Sequence, residues 1–406
     1  MKRLTLRLLT AMTTCLIGLA ATAALIVHSR PPVFRLDDEM HLVHQPDTDG
    51  NMLPDKATLE MVFVLDTTGS MSGLIEGAKQ RIWGIVNEVM QQSARPAVKI
   101  GLVAYRDNGD EYVTKVTPLT SDLDAVYSAL MDYRADGGGD TPENVRRALA
   151  EGVHAAGWSN DTQRTARIVF LVGDAPPHDD YTNEQPTTAT ADAAVKRGMI
   201  VNTIQCGQID GTREVWQAIA RQGAGQYFAI AQDGGVQVIT TPYDEQLGIL
   251  SQKLGGTFLA YGGGGGARGI ATRTELMAKQ ARTEEAVAVR APASAQAERA
   301  LNKALNSEAY SGDLLQSIEN ESVKLDAVKD EDLPDELRKL SRAERKREID
   351  QRLADRKKLR AEIVALSKQR DAYIAAARKK QAGPQTGFDA AVAAALKEQL
   401  ARKGIK

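Results

Sequence analysis

The feature that most constrains the fold is a mainly apolar run, Leu59–Leu65, that leads directly into the polar hexapeptide Asp66–Met71. Strands buried on both faces of a parallel sheet have such near-continuous apolar runs. In the hexapeptide, Asp66, Thr68 and Ser70 place an acid and two hydroxyls at every second position. Open α/β sheets bind ligands at the carboxyl ends of their strands, and oxygen ligands suit a hard cation such as Mg²⁺. The run therefore predicts a buried strand that ends in a cation site.

Strand-like and helix-like segments alternate between residues 57 and 262, which indicates an α/β fold. We predict a Rossmann-like, doubly wound, mostly parallel sheet with helices on both faces. Val98–Tyr105 and Glu111–Val116, joined by a polar turn, predict an antiparallel hairpin at one sheet edge. The other predicted strands are Arg167–Gly173, Met199–Cys206 and Gln226–Ile230, and the predicted helices are Gly73–Gln92, Asp122–Tyr133, Pro142–Ala156, Arg213–Gln222 and Asp244–Leu254.

Two later segments add to the first motif, namely the glycine-rich Gly137–Glu143 and the strand end Leu171–Asp174. In this order the three motifs resemble the metal-ion-dependent adhesion site of von Willebrand factor type A (vWA) domains, whose first motif is Asp-x-Ser-x-Ser. Thr68 replaces the middle serine and keeps the hydroxyl. Gly139 stands near a threonine position of adhesion receptors, and the Gly-Gly-Gly-Asp-x-Pro-Glu pattern resembles the hemicentin-like variant. The resemblance covers residues 57–262.

The resemblance implies a divalent metal ion, with Mg²⁺ favoured over Mn²⁺ or Ca²⁺. It also implies a protein partner that supplies an Asp or Glu to an open coordination position. The residues implied as ligands, directly or through water, are Asp66, Thr68, Ser70, Asp140, Thr141 and Asp174. Either Asp140 or Thr141 would supply the oxygen that Gly139 lacks. The alternative for these residues is a structural role in turns and helix caps.

The first 30 residues are predicted to be a targeting segment. A positively charged start precedes an apolar stretch, residues 8–27, that is long enough to cross a bilayer. We expect a signal-anchor in the inner membrane of a bacterial envelope, with the vWA domain outside the cytoplasm, in the periplasm. The alternative is a signal peptide cleaved after Ala21–Ala23, followed by secretion. Residues 31–56 are expected to form a linker.

The composition changes again after residue 262. Five consecutive glycines, Gly262–Gly266, mark a boundary, and residues 263–334 are predicted to form a flexible Gly- and Ala-rich linker with weak helix. Residues 335–406 are predicted to form a charged helical tail with a strong helix at Asp335–Lys380. The apolar stripe of this helix is too irregular to establish a coiled coil. We expect the tail to pack locally or to bind a partner, and the oligomeric state is left open.

The net charge of −2 provides no basic field for nucleic acid, and the two cysteines, Cys15 and Cys206, are not expected to pair. No motif places a nucleophile beside a general base, so we predict a binding protein and not an enzyme. The predicted function is adhesion-type protein binding through the metal ion. The alternative is an envelope assembly or scaffold component that acts through its helical tail, with a vWA domain that is only structural.

Overall fold

The computed structural model describes residues 57–91, 96–230, 239–306, 308–380 and 387–405. The predicted targeting segment, the predicted linker 31–56 and Cys15 lie outside these ranges. Within the described ranges, no helix is both long and apolar enough to span a bilayer. Cys206 is described, and it is a buried free thiol at the end of a strand.

Six strands form one mixed sheet in the described part of the chain. They are β1 (Thr58–Asp66), β2 (Ala97–Tyr105), β3 (Thr114–Thr120), β4 (Thr165–Gly173), β5 (Ile200–Cys206) and β6 (Ala224–Ile230). Their order across the sheet is β3-β2-β1-β4-β5-β6. β1 pairs in parallel with β2 and β4, β5 and β6 continue this parallel set, and β3 runs antiparallel to β2 at the edge. The predicted mostly parallel sheet with one antiparallel edge strand is confirmed.

Helices cover both faces of the sheet and make up the C-terminal region. They are α1 (Ile75–Met90), α2 (Leu123–Asp132), α3 (Val145–His154), α4 (Thr187–Lys196), α5 (Thr212–Gln222), α6 (Asp244–Gly255), α7 (Gly266–Arg290), α8 (Ala293–Leu305), α9 (Leu314–Glu319), α10 (Asp335–Arg338), α11 (Arg342–Lys380) and α12 (Gly387–Ala401). Side chains of α1, α2 and α12 share a core with one face of the sheet. Side chains of α3, α4 and α5 share a core with the other face.

The central strand β1 contributes to both cores because successive side chains of a strand lie on opposite faces of a sheet. Phe63 packs in the core under α1 and stacks on Phe170 of β4, with ring centroids 5.2 Å apart. Val62 and Val64 pack in the core under α3. The strand is therefore fixed from both sides, and Asp66 is held at its carboxyl end.

Three elements of the α/β part differ from the sequence-based predictions. β3 begins at Thr114 and not at Glu111, because the hairpin loop is longer than expected. α3 begins after Pro142, because Asn144 caps the helix by accepting a hydrogen bond from Arg147 N–H at 3.0 Å. α4 has no counterpart among the predicted helices, since its sequence consists largely of Ala and Thr without a stripe of large apolar side chains.

The segment after residue 262, where we expected a linker with weak helix, forms packed helices. α7 runs for 25 residues, and α8 packs against α1, α6 and α11. The glycine run is held by Arg273, whose Nη1 donates to Gly262 O at 2.8 Å and to Gly264 O at 3.2 Å. At the C-terminus, α12 packs against β6 and α1. The division of the chain into domains stays a prediction.

The long helix α11 packs against α6, α8 and α9 through a seam with seven-residue spacing. The buried residues of this seam are Ile349, Arg356, Ile363 and Arg370. Each arginine meets a buried acid: Arg356 pairs with Asp313, and Arg370 Nε donates to Asp244 Oδ1 at 2.7 Å. Because arginines fill alternate positions of the seam, its apolar stripe is interrupted in the sequence. The helix packs locally, which was one of the two expectations for the tail.

Candidate metal centre

The first motif lies on the turn between β1 and α1, at the carboxyl edge of the sheet. Asp66 is the last residue of β1, and Thr67 fixes the turn against the neighbouring strand. The N–H and hydroxyl of Thr67 both donate to Tyr105 O, at 2.9 and 2.8 Å. The glycine-rich loop also contacts this turn, since Gly69 N–H donates to Gly137 O at 2.9 Å. Backbone contacts from the end of β2 and from the glycine-rich loop therefore position the motif.

Four of the predicted ligands form one continuous series of close polar contacts. Thr68 donates to Asp66 Oδ1 through its hydroxyl at 2.7 Å and through its N–H at 2.9 Å. The hydroxyl oxygens of Thr68 and Ser70 lie 3.1 Å apart, and Ser70 Oγ donates to Asp174 Oδ1 at 2.9 Å. The structure thus brings the acid after β4 next to the first motif. We name Asp66, Thr68, Ser70 and Asp174, together with the neighbouring Glu143, the edge cluster.

Glu143 enters the edge cluster from the glycine-rich loop, although it was not among the predicted ligands. Its N–H donates to Pro176 O at 3.0 Å, which ties the loop to the segment after β4. Its side chain is buried, with Oε1 close to Thr68 across Gly138. Gly138 has a φ of +74°, and a Cβ there would lie 2.8 Å from Glu143 Oε1 and 3.1 Å from Thr68 Cβ. Glycine at this position therefore leaves room for the carboxylate.

Asp140 and Thr141 were predicted as ligands, but the structure does not bring them into the edge cluster. Thr141 is exposed. The Asp140 side chain is 61% exposed, and its Oδ1 lies 3.5 Å from Nε2 of His178. The physical reason is the path of the loop: the backbone pairing of Glu143 with Pro177 brings the end of the glycine-rich motif to the cluster, while the residues before it stay at the surface.

The three carboxylates of the edge cluster are buried without a basic partner. Asp66 is 0%, Glu143 1% and Asp174 2% exposed. Within the described ranges, no Lys, Arg or His forms an ion pair with any of them. The basic residues of the surrounding loops pair elsewhere, for example Arg106 with Glu111 and Arg146 with Asp179. The negative charge of the cluster is therefore not neutralised by a described side chain.

This lack of countercharge changes the acidity of the cluster. Burial, followed by the Asp174 charge, raises the pKa of Asp66 to about 7, although Thr68 and Tyr105 oppose the shift. Burial, followed by the Asp66 charge, raises the pKa of Glu143 to about 9. Burial also raises the pKa of Asp174, against a hydrogen bond from Ser70. Asp66 Oδ2 and Glu143 Oε2 are buried and complete no hydrogen bond of normal geometry. Protons or a cation must neutralise the cluster.

The edge cluster fits a hard divalent cation. Its donors are carboxylate and hydroxyl oxygens, which Mg²⁺ and Mn²⁺ prefer. Adjacent ligands of an octahedral ion with bonds of about 2.1 Å lie about 3.0 Å apart. The oxygen pairs Thr68–Ser70 and Ser70–Asp174 are separated by 3.1 and 2.9 Å. A cation among these oxygens would also neutralise the charges of Asp66 and Glu143.

Residues 60–242 match a family model described as the von Willebrand factor A domain. Together with the strand order, this match identifies the α/β part of the chain as a vWA domain with a Rossmann-like fold. The resemblance inferred from the three motifs is confirmed at this level. The adhesion-site chemistry and the hemicentin-like variant stay predictions.

Relatives share this domain. The von Willebrand factor A domain-containing protein 7 of Rattus norvegicus is 33% identical over 181 residues, 44% of this chain and 18% of that protein. Its Homo sapiens counterpart is 30% identical over 182 residues, with the same shares. This chain therefore spans less than a fifth of the length of these relatives. Among solved structures, the conserved hypothetical protein BatB from Bacteroides thetaiotaomicron is 19% identical with a TM-score of 0.33, covering 43% of this chain and 90% of that chain.

Proposed function

We propose that the vWA domain binds a protein partner through a divalent cation held by the edge cluster. The observation that carries this proposal is the set of three buried carboxylates without a basic partner in the described part of the chain. A bound cation supplies positive charge and a coordination position for an acidic group. An Asp or Glu side chain of the partner is therefore the expected contact, and Mg²⁺ is the expected ion, with Mn²⁺ or Ca²⁺ as alternatives.

The residues of the edge cluster have different parts in this proposal. Asp66 and Asp174 provide the negative charge that holds the cation. The hydroxyl protons of Thr68 and Ser70 are directed to carboxylates, so their oxygen lone pairs are available to a cation. Glu143 has a pKa raised to about 9, so it keeps a proton at neutral pH until a positive charge replaces that proton. Cation binding is therefore expected to release protons.

We further propose that the domain acts by binding and not by catalysis. Among the described residues, the hydroxyls of Thr68 and Ser70 donate to two carboxylates and lie beside each other, and no histidine or lysine base contacts them. Activation of a nucleophilic hydroxyl normally uses such a base. The cluster is instead suited to hold a cation in a fixed position.

We propose an envelope location on the basis of the sequence. The positively charged start and the apolar stretch at residues 8–27 support an inner-membrane anchor with the vWA domain outside the cytoplasm. Mass spectrometry of the mature protein tests this, because an anchored chain keeps its N-terminal segment. A mature chain that starts near Ala24 would show cleavage and secretion instead.

The binding proposal is tested by affinity capture from a bacterial envelope extract, with the full-length chain as bait. In Mg²⁺, the wild type should retain a partner that chelator releases and that Asp66→Ala fails to retain. The matched control is Asp132→Ala, which removes a 57% exposed acid of α2 that pairs with Arg290 and not with the edge cluster. A partner retained equally in chelator would contradict a role for the cation.

The alternative function, a scaffold that acts through the helical tail, needs a different test. Deleting residues 335–380 would also remove the buried Arg356 and so disturb the fold. We therefore replace two exposed lysines of α11, Lys357 and Lys358, with Glu. The alternative predicts that partner capture is lost in this variant and survives in Asp66→Ala. The cation-dependent proposal predicts the opposite pair of results.

A further inference from the structure

We propose that Asp107, Asp140 and His178 form a second metal site, which takes a zinc-like transition-metal ion and lies beside the edge cluster. One ligand atom from each residue lies within 4.8 Å of the others. The three side chains come from separate loops: the β2–β3 loop, the glycine-rich loop and the segment after β4. This inference goes beyond the proposed function, because it concerns different side chains and a different class of ion.

The distances around His178 match metal coordination better than hydrogen bonding. Its Nε2 lies 3.4 Å from Asp107 Oδ2 and 3.5 Å from Asp140 Oδ1. An N–H···O hydrogen bond is about 2.7–3.2 Å long. Neighbouring ligands of a tetrahedral ion with bonds of about 2.0–2.1 Å lie about 3.3–3.4 Å apart. The nitrogen is therefore spaced from each of the two oxygens as neighbouring ligands of one small ion are.

The environment of the His178 ring supports the same conclusion independently. Its Nδ1 lies 2.9 Å from Asp180 Oδ1, and its ring stacks on Tyr181 with centroids 4.2 Å apart and planes 14° apart. The side chain is 11% exposed, and its Nε2 is buried without a hydrogen bond. A carboxylate on one ring nitrogen, with the other nitrogen directed to a metal, is the usual arrangement of metal-bound histidine. Nε2 completes no hydrogen bond and lies within 3.5 Å of both carboxylates, so it is the ring atom to which a metal would bind.

The two acids complete the site in different ways. Asp107 is 9% exposed, and the Tyr181 hydroxyl donates to both of its oxygens, at 2.9 and 2.8 Å. This carboxylate is therefore fixed before a metal binds. Asp140 is 61% exposed, so the side of the site that it lines is open to solvent. A fourth ligand, such as water, has access from that side, as in zinc sites with three protein ligands.

The donor set distinguishes this site from the edge cluster. An imidazole nitrogen with two carboxylates suits Zn²⁺ or Co²⁺, whereas an all-oxygen set suits Mg²⁺. The two sites are close enough to interact electrostatically, since the negative charge of Asp107 contributes to the raised pKa of Glu143. They should nevertheless respond to different ions and to different substitutions.

The test is calorimetric titration of the full-length chain in detergent with Zn²⁺, in excess Mg²⁺ that occupies the edge cluster. His178→Gln should lose one bound Zn²⁺ per chain. The matched control is His154→Gln, which removes an exposed histidine at the end of α3 and should leave that Zn²⁺ in place. Asp66→Ala should also keep it, which separates this site from the proposed Mg²⁺ site.

Two further readouts sharpen the test. Co²⁺ in place of Zn²⁺ should give the intense visible absorption of a four-coordinate ion in the wild type and not in His178→Gln. Asp180→Asn should weaken Zn²⁺ binding by about 10–100-fold, because it removes the carboxylate that orients the ring. Equal Zn²⁺ stoichiometry and affinity in the wild type and His178→Gln would overturn the proposal. The His178 ring would then be held among the acids as a protonated imidazolium only.

Discussion

Two groups of buried carboxylates in the described part of this molecule have their charges neutralised differently. Where the C-terminal helices pack on the α/β domain and on one another, buried acids meet arginines, in the pairs Asp124–Arg299, Asp244–Arg370 and Asp313–Arg356. At the carboxyl edge of the sheet, Asp66, Glu143 and Asp174 meet no basic partner among the described residues. The first region contains its own countercharges, and the described residues supply none to the second.

The acidity of the two regions follows this difference. Burial alone would raise the pKa of Asp124, but the Arg299 and Lys303 charges outweigh burial and hold it below its usual value. At the edge, burial and neighbouring acids act in the same direction and raise the pKa of Asp66 to about 7. The acids that pair with arginines hold the C-terminal helices in place. The unpaired acids at the sheet edge are suited to bind a cation. Substitutions in each region therefore test the two roles separately.

The largest effect is expected from breaking a pair in the helical region. Arg356→Leu leaves Asp313 fully buried without its partner, and removing one member of a buried pair costs about 3–5 kcal/mol. Urea unfolding followed by circular dichroism measures this loss. Arg352→Leu on the same helix is the control, since this side chain is 34% exposed and surface pairs contribute about 0–1 kcal/mol. Equal losses in both variants would contradict a structural role for the buried pair.

At the edge, Glu143→Gln should remove most of the stabilisation that Mg²⁺ confers, whereas Asp140→Asn should leave it unchanged. A ligand at one hundred times its dissociation constant stabilises the folded state by about 2.7 kcal/mol. Glu143 is buried beside Thr68, and Asp140 lies at the surface near His178. Thermal melts in chelator and in Mg²⁺ compare the two variants. A larger loss of Mg²⁺ stabilisation in Asp140→Asn than in Glu143→Gln would favour Asp140 as the ligand, as the sequence suggested.

The glycine-rich loop should show a smaller effect. Gly138→Ala is expected to cost about 1–3 kcal/mol, because the residue has a φ of +74° and its new Cβ would lie 2.8 Å from Glu143 Oε1. Gly139→Ala is the matched control, since a Cβ there meets no atom within 4 Å, and its cost should stay below about 0.5 kcal/mol. Chemical denaturation measures both. Similar costs would mean that Glu143 does not need the space at Gly138.

The smallest effect is a pH dependence of the cation-free protein. Burial holds the pKa of Asp66 at about 7 and that of Glu143 at about 9, above their ordinary values of 3.8 and 4.5. The folded state therefore keeps protons that the unfolded state has released, so stability falls as the pH rises through these values. Denaturation in chelator from pH 5 to 9 should show this fall, and Glu143→Gln should reduce it above pH 7. Constant or rising stability would contradict uncompensated acids at the edge.

Much of the α/β fold was predictable because its central strands are near-continuous apolar runs. β1 and β4 agree with their predicted positions to within two residues. α4 was missed because small residues pack it against its neighbours without a stripe of large side chains. The seam of α11 was obscured because buried arginines occupy half of its positions, and their acidic partners lie far away in the sequence.

The edge cluster was predictable only in part. The resemblance to the vWA adhesion-site motifs indicated Asp66, Thr68, Ser70 and Asp174, and the rule that parallel strands end at a common edge places them together. The choice of Glu143 over Asp140 depends on the conformation of the glycine-rich loop, which the motif does not specify. One available signal was that Glu143 directly precedes Asn144, the residue that caps α3.

The measurement that tests the central claim most directly is a thermal melt of the full-length chain in chelator and in increasing Mg²⁺ or Mn²⁺. The wild type and the surface control Asp132→Ala should melt at higher temperature as the metal concentration rises. Asp66→Ala should show no such rise. A rise of equal size in Asp66→Ala, or no rise in the wild type, would contradict the claim that the unpaired acids at the sheet edge bind a divalent cation.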